Sequence, residues 1–127
     1  MIKGVDAVGF DLDGTLYAST AERDSRIRTK ISERILEKCP ELKTVDNARA
    51  FFEQRYAELH GGARVLKEVG YDNPSGVMDE CLATADVADL IERNPNLGSL
   101  ITRFSDFYKL YLLTGSPEMQ AMQKLEK

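Results

Sequence analysis

The sequence predicts an α/β protein in which two parallel strands, each ending in a polar elbow, bracket a block of about five helices. Three observations carry this. Residues 5–10 form an apolar, β-prone run that stops at Asp11-Leu12-Asp13-Gly14-Thr15. Residues 107–113 (F-Y-K-L-Y-L-L) form a second such run, ending in Thr114-Gly115-Ser116-Pro117. Between them the apolar residues recur at helical rather than strand spacing.

The first strand sets the chemistry. Val5, Ala7, Val8 and Phe10 are strand formers, and the run is apolar enough to lie mid-sheet, buried on both faces. Strands of α/β sheets present functional side chains at their C-terminal ends. Asp11 and Asp13 are two positions apart, so in extended chain both point to one side. Two carboxylates so close repel unless a cation offsets them, and all-oxygen ligands suit a hard cation such as Mg²⁺. Gly14 lets the chain turn sharply. Two other readings fit parts of the stretch. Asp and Gly also make ordinary turns. Asp11, Asp13, Thr15 and Glu22 fall at calcium-loop positions 1, 3, 5 and 12, but the glycine required at position 6 is Leu16, and a strand rather than a helix precedes the loop.

The helical block follows a short connector over residues 18–23. Ile27, Ile31, Ile35 and Leu36 mark a helix over 24–38, capped by Asp24 or Ser25 and stopped at Cys39-Pro40. A second helix spans about 45–59, capped by Thr44 or Asp46, with Ala48, Phe51, Phe52, Tyr56 and Leu59 on one broad face. His60-Gly61-Gly62 interrupts it, and a short helix over 63–69 ends at Gly70. Pro74-Ser75-Gly76 opens a helix over 77–85, with one more turn at 87–91. After Asn94-Pro95-Asn96, residues 97–104 place Leu97, Leu100, Ile101 and Phe104 inward. The second strand is expected to be buried. After it, 118–127 form a helix with Met119, Met122 and Leu125 on one side.

The composition limits the function classes. The chain has 127 residues, 43% hydrophobic and 30% charged, and a net charge of −4, as in an ordinary globular domain. Its charges are interspersed, so neither nucleic acid nor an anionic membrane surface is an expected partner. No apolar stretch has the length of a membrane span and no signal pattern opens the chain, so a cytoplasmic protein is expected. Cys39 and Cys81 show no framework spacing and read as free, buried thiols, with a disulfide as the alternative.

The stretch D-L-D-G-T-L-Y after an apolar strand resembles the first motif of the haloacid dehalogenase-like (HAD) phosphohydrolases. The resemblance implies that Asp11 is a nucleophile that becomes an aspartyl-phosphate and that Asp13 is the general acid/base. It also implies Mg²⁺ at Asp11 and Asp13, the latter through its backbone carbonyl. In that family the second motif is a strand ending in Thr or Ser, and Leu112–Ser116 fits. Thr114, Gly115 and Ser116 would then hold the phosphoryl group, as a hydroxyl and free N–H groups at a helix start can. The implied architecture is a HAD-like core, residues 1–17 and 107–127, with an inserted helical cap at 18–106. Within that family an aspartate at position 13 favours phosphate-ester chemistry. The finer pattern, D-G-T-L-Y, a helical block with H-G-G near its middle, then a strand and T-G, is similar to the branch containing pyrimidine 5′-nucleotidases. The expected activity is hydrolysis of a small phosphate ester, a nucleoside monophosphate among the candidates.

His60 has two readings, a structural or surface role at a helix end or a substrate contact from the cap. Arg49, Arg55 and Arg64 can reach a charged substrate group or simply face solvent. The family also needs a lysine and later acidic residues. Only eleven residues follow Ser116; Lys124 and Lys127 lie on the helix leaving the site, pointing away from it, and Glu118 and Glu126 are not at a strand end. The expectation is therefore a truncated, N-terminal portion of such an enzyme with weak Mg²⁺ affinity, little activity alone, and self-association through open sheet edges. The alternative is a catalytically incomplete remnant serving as a binding or assembly module.

Overall fold

The computed structural model describes residues 2–127, in which β1 (Ala7–Asp11) and β2 (Lys109–Leu113) pair in parallel. Their register aligns Ala7 with Lys109 and Asp11 with Leu113, so both strands end at the same level. Six α-helices complete the mixed α/β set among the described residues: α1 (Ala21–Lys38), α2 (Val45–Leu59), α3 (Gly62–Glu68), α4 (Pro74–Thr84), α5 (Pro95–Ser105) and α6 (Glu118–Leu125). Short 3₁₀ turns lie at Pro40–Leu42 and Ala88–Leu90. None of these helices is long and apolar enough to cross a membrane.

The chain divides into two compact units. One is Ala21–Val87, and the other joins the residues up to Thr20 with Ala88–Lys127. Helix α5 falls in the same unit as the strands, whereas its sequence pattern groups it with the other helices.

The helical unit has the better-formed core. Ile31 and Ile35 of α1 meet Ala48 and Phe52 of α2, Val65 and Leu66 of α3, and Cys81 of α4. Helix α1 starts at Ala21, three residues before the expected cap, and so places Glu22 and Asp24 in its first turn, where they complement the helix dipole. Helix α2 begins as expected, its Asn47 N–H donating to Thr44 Oγ1 at 3.2 Å. It ends at His60, which is exposed in the left-handed region (φ 54°) and donates its N–H to the Tyr56 carbonyl. Tyr56 lies outside the buried face. The ends of this unit are tied by Arg26 of α1, whose Nη1 donates to the Asp86 carbonyl at 2.8 Å. Cys39 and Cys81 are free thiols; Cys81 is buried as expected, whereas Cys39 is only half-buried.

In the strand unit the expectation of fully buried strands is corrected. Exposure alternates along both strands. Val8, Phe10, Leu110 and Leu112 are half-buried, whereas Tyr111 is 57% and Leu113 64% exposed. A two-stranded sheet with cover on one face leaves every second side chain outside. On the covered side Phe10 meets Phe104 of α5 edge to face, ring centroids 6.0 Å apart. Leu100 of α5, expected inward, is exposed. Helix α6 reverses its expected polarity: Met119 (71% exposed), Met122 and Leu125 face out, and Gln120, Ala121 and Lys124 are buried.

Candidate functional site

The two polar elbows meet. Because Asp11 and Leu113 are register partners, Asp11 and Thr114 leave adjacent strand ends side by side. Beyond β1 the chain turns through Gly14, whose φ of +78° is one that residues with a side chain rarely adopt. The amides of Thr15 and Leu16 both donate to the Leu12 carbonyl, and Leu12 itself is buried. This turn separates the fates of the two aspartates. Asp11 is exposed and accepts a hydrogen bond from Thr15 Oγ1 at 3.1 Å. Asp13 is drawn inward and becomes the hub of the site.

Three side chains converge at Asp13, those of Ser116, Tyr17 and Lys124. Ser116 Oγ donates to Oδ2 at 2.7 Å, across 103 positions of sequence. Tyr17 Oη donates to Oδ1. Lys124 Nζ donates to the same Oδ1 at 2.6 Å and to Ser116 Oγ at 3.0 Å. The Lys124 side chain is 0% exposed, and its ammonium also lies over the Tyr17 ring, 5.7 Å from the centroid. This corrects the expectation that Lys124 points away. It is the second residue of α6's buried i, i+4 pair with Gln120, and helical geometry stacks such residues on one face. The signal in the sequence was that i, i+4 spacing, masked by the apolar Met119, Met122 and Leu125 on the other side.

Burial alone would push the Asp13 carboxyl up. The hydrogen bonds from Lys124, Tyr17 and Ser116, with the charge of Lys124, more than offset that and lower it from 3.8 to about 2. Asp13 is therefore an anion at neutral pH. As folded it can accept a proton, from water for instance, but it has none to give.

The phosphate-binding candidates are partly brought in. The Ser116 amide donates to Thr114 Oγ1 at 3.0 Å, folding residues 114–116 into a tight turn ahead of α6. Gly115 is exposed in that turn. Thus Asp13 and Ser116 touch, and Asp11, Thr114 and Gly115 stand at the same sheet end without a hydrogen bond from one strand end to the other among these three.

The donor set fits a divalent ion poorly. Both Asp13 carboxylate oxygens already accept hydrogen bonds, one of them from a cation. Among the described residues no three His, Cys, Asp or Glu side chains gather as a metal-holding group. The Asp11 carboxylate and the Asp13 main-chain carbonyl are the ligands that remain.

Beside this cluster, and within the same unit, lies a mostly apolar cleft of about 550 Å³. Phe10 and Leu112 of the covered sheet face, Leu97 and Ile101 of α5, and Tyr17 and Lys124 line it. Asp11, Thr114 and Gly115 do not. In the helical unit the arginines are committed locally: Arg49 to Ser25 and Glu53, Arg55 to Glu68 and Glu58, and Arg64 to the Leu59 carbonyl. No protein-family model, no curated protein and no solved structure matches the chain.

Proposed function

We propose that the chain carries the first two elements of a phosphomonoester hydrolase site of the HAD-like kind, working through an aspartyl-phosphate at Asp11. The observation that supports this reading best is the 2.7 Å bond from Ser116 Oγ to Asp13 Oδ2, which joins D-L-D-G-T to T-G-S as the proposed chemistry requires. The exposed Asp11 carboxylate is the nucleophile: an oxygen bonds to phosphorus as the ester P–O bond breaks, and the leaving oxygen departs with a proton. Water then cleaves the acyl-phosphate, giving its proton to Asp13. The proton for the leaving oxygen comes to Asp13 from solvent, and in later cycles from the attacking water, when Lys124 and Ser116 exchange their bonds to the carboxylate for bonds to the phosphoryl oxygens. Thr114 and the amides of the 114–116 turn contribute further donors. The substrate class is a small phosphate ester, a nucleoside monophosphate among the candidates. Mg²⁺ is part of what the resemblance implies, with Asp11 and the Asp13 carbonyl as its ligands.

A second reading, a catalytically incomplete binding or assembly module, draws support from the same hub. A carboxylate locked by a buried lysine is a sound structural element and a poor acid. An assay of p-nitrophenyl phosphate sensitive enough to detect the weak turnover expected of this chain, run beside a phosphate-binding titration, separates the two. Under the first reading Asp11→Asn abolishes turnover and Asp13→Asn slows it by ~10²–10⁴. Activity that survives Asp11→Asn would remove the aspartyl-phosphate mechanism. Absence of turnover with retained binding of inorganic phosphate would favour the module.

A further inference from the structure

We propose that Lys124 is the resident cation of Asp13, a positioning residue that holds Asp13 against Ser116 and keeps divalent metal off the Asp13 carboxylate. A fully buried ammonium is costly unless paired and hydrogen-bonded. Lys124 meets that condition completely: its Nζ reaches Asp13 Oδ1 at 2.6 Å and Ser116 Oγ at 3.0 Å, and it sits over the Tyr17 ring. The side chain has no exposed surface, so it has no solvent to retreat into without moving α6. A metal ion at the Asp13 carboxylate would face this charge at near-contact distance, and Ser116 already fills the other oxygen. The positive charge that offsets the Asp13 carboxylate thus comes from the chain itself.

The same two bonds give Lys124 a geometric task. One ammonium spans the end of the first elbow and the turn of the second, fixing the proton-handling carboxylate relative to the phosphate-binding turn. What it positions rests on the phosphoryl-transfer reading, but its occupancy of the site does not.

Nitrogen-15 spectra of lysine side-chain ammonium groups in the 127-residue chain test the occupancy. One slowly exchanging signal is expected, missing in Lys124→Met, and unchanged on adding millimolar Mg²⁺. Absence of that signal from the unsubstituted protein, or its loss on adding Mg²⁺, would overturn the proposal. Calorimetric titration with Mn²⁺ alone gives a second arm. Asp13→Asn should leave Mn²⁺ affinity unchanged, because the carboxylate is already taken. Lys124→Met should raise it about tenfold by freeing that carboxylate, and Lys124→Met combined with Asp13→Asn should lose the gain. Weaker Mn²⁺ binding in Asp13→Asn, or no gain in a folded Lys124→Met, would overturn it. Neither readout uses turnover, so an inactive Asp11 would leave this inference standing. Displacement of Lys124 by Mg²⁺ would in turn leave the hydrolase reading standing.

Discussion

Ser116 Oγ stands 2.7 Å from Asp13 Oδ2, and through that contact two strand ends separated by 103 positions become one polar cluster. Neither residue is remarkable for exposure or charge alone. Their contact makes the turn after β2 a partner of the turn after β1.

Removing that contact has a predictable cost. Ser116→Ala removes one hydrogen bond to Asp13 Oδ2 and leaves Lys124 with one partner fewer. Thermal unfolding should show a loss of about 1–2 kcal/mol. If phosphate binds here, its affinity should also fall. Unaltered stability and unaltered phosphate affinity would mean that the two turns are not functionally joined.

Acid should destabilise the strand unit through Asp13. A group whose folded-state value is depressed contributes stability that is present above its unfolded value, here 3.8, and is lost as pH falls through about 2. The full contribution is on the order of 2 kcal/mol at about 1.4 kcal/mol per pH unit. Following the Asp13 carboxyl carbon by NMR between neutral pH and strong acid should give a midpoint near the lower value. In Lys124→Met the midpoint should move upward, since burial then acts with less opposition. A midpoint at the ordinary aspartate value in the unsubstituted protein would show that the cluster does not hold.

The helical unit should respond to its own core. Ile35 and Leu66 are 0% exposed, and Ile35→Ala or Leu66→Ala should each cost about 2–5 kcal/mol in urea unfolding.

The open face and edges of the two-stranded sheet should drive self-association. Phe107, Tyr111 and Leu113 are all exposed apolar or aromatic side chains, and neither strand has a second neighbour among the described residues. Sedimentation velocity should show species larger than a monomer, growing with concentration. Tyr111→Lys should shift the distribution toward monomer. A clean monomer at all concentrations would remove this expectation.

What the sequence disclosed followed the strength of its patterns. The helix over 45–59 was legible to the residue because Thr44 is a strong cap and His60-Gly61-Gly62 a strong stop. Ile31 and Ile35 were legible as core because their spacing is helical and their neighbours are charged. Burial of the strands was not legible, because an apolar run looks the same whether one face or both are covered, and here cover exists on one. Helix α6 misled for a related reason. Hydrophobicity marks the buried side of a helix only where the partner surface is apolar. The surface that α6 meets includes Asp13 and Ser116, so a lysine goes in and two methionines stay out. Asp11 and Asp13 were recognisable as a pair, but their opposite surroundings, one exposed and one a hub, depend on the turn at Gly14 and on a contact from 111 positions away.

The Arg26–Asp86 bond that ties the two ends of the helical unit also bears on how the protein folds. Pairing β1 with β2 directly means closing a loop of roughly a hundred residues, a search whose entropy grows with the logarithm of loop length. Helices such as α1 and α2 form from local contacts and can assemble early. Once Ala21–Val87 has folded and fastened its own beginning to its end, the free chain left for the strands to close is roughly thirty residues, a saving of about 1 kcal/mol. The insertion that lies between the two strands in sequence thereby shortens the path between them, and Arg26→Ala should register first as slower strand pairing rather than as a weaker helical core.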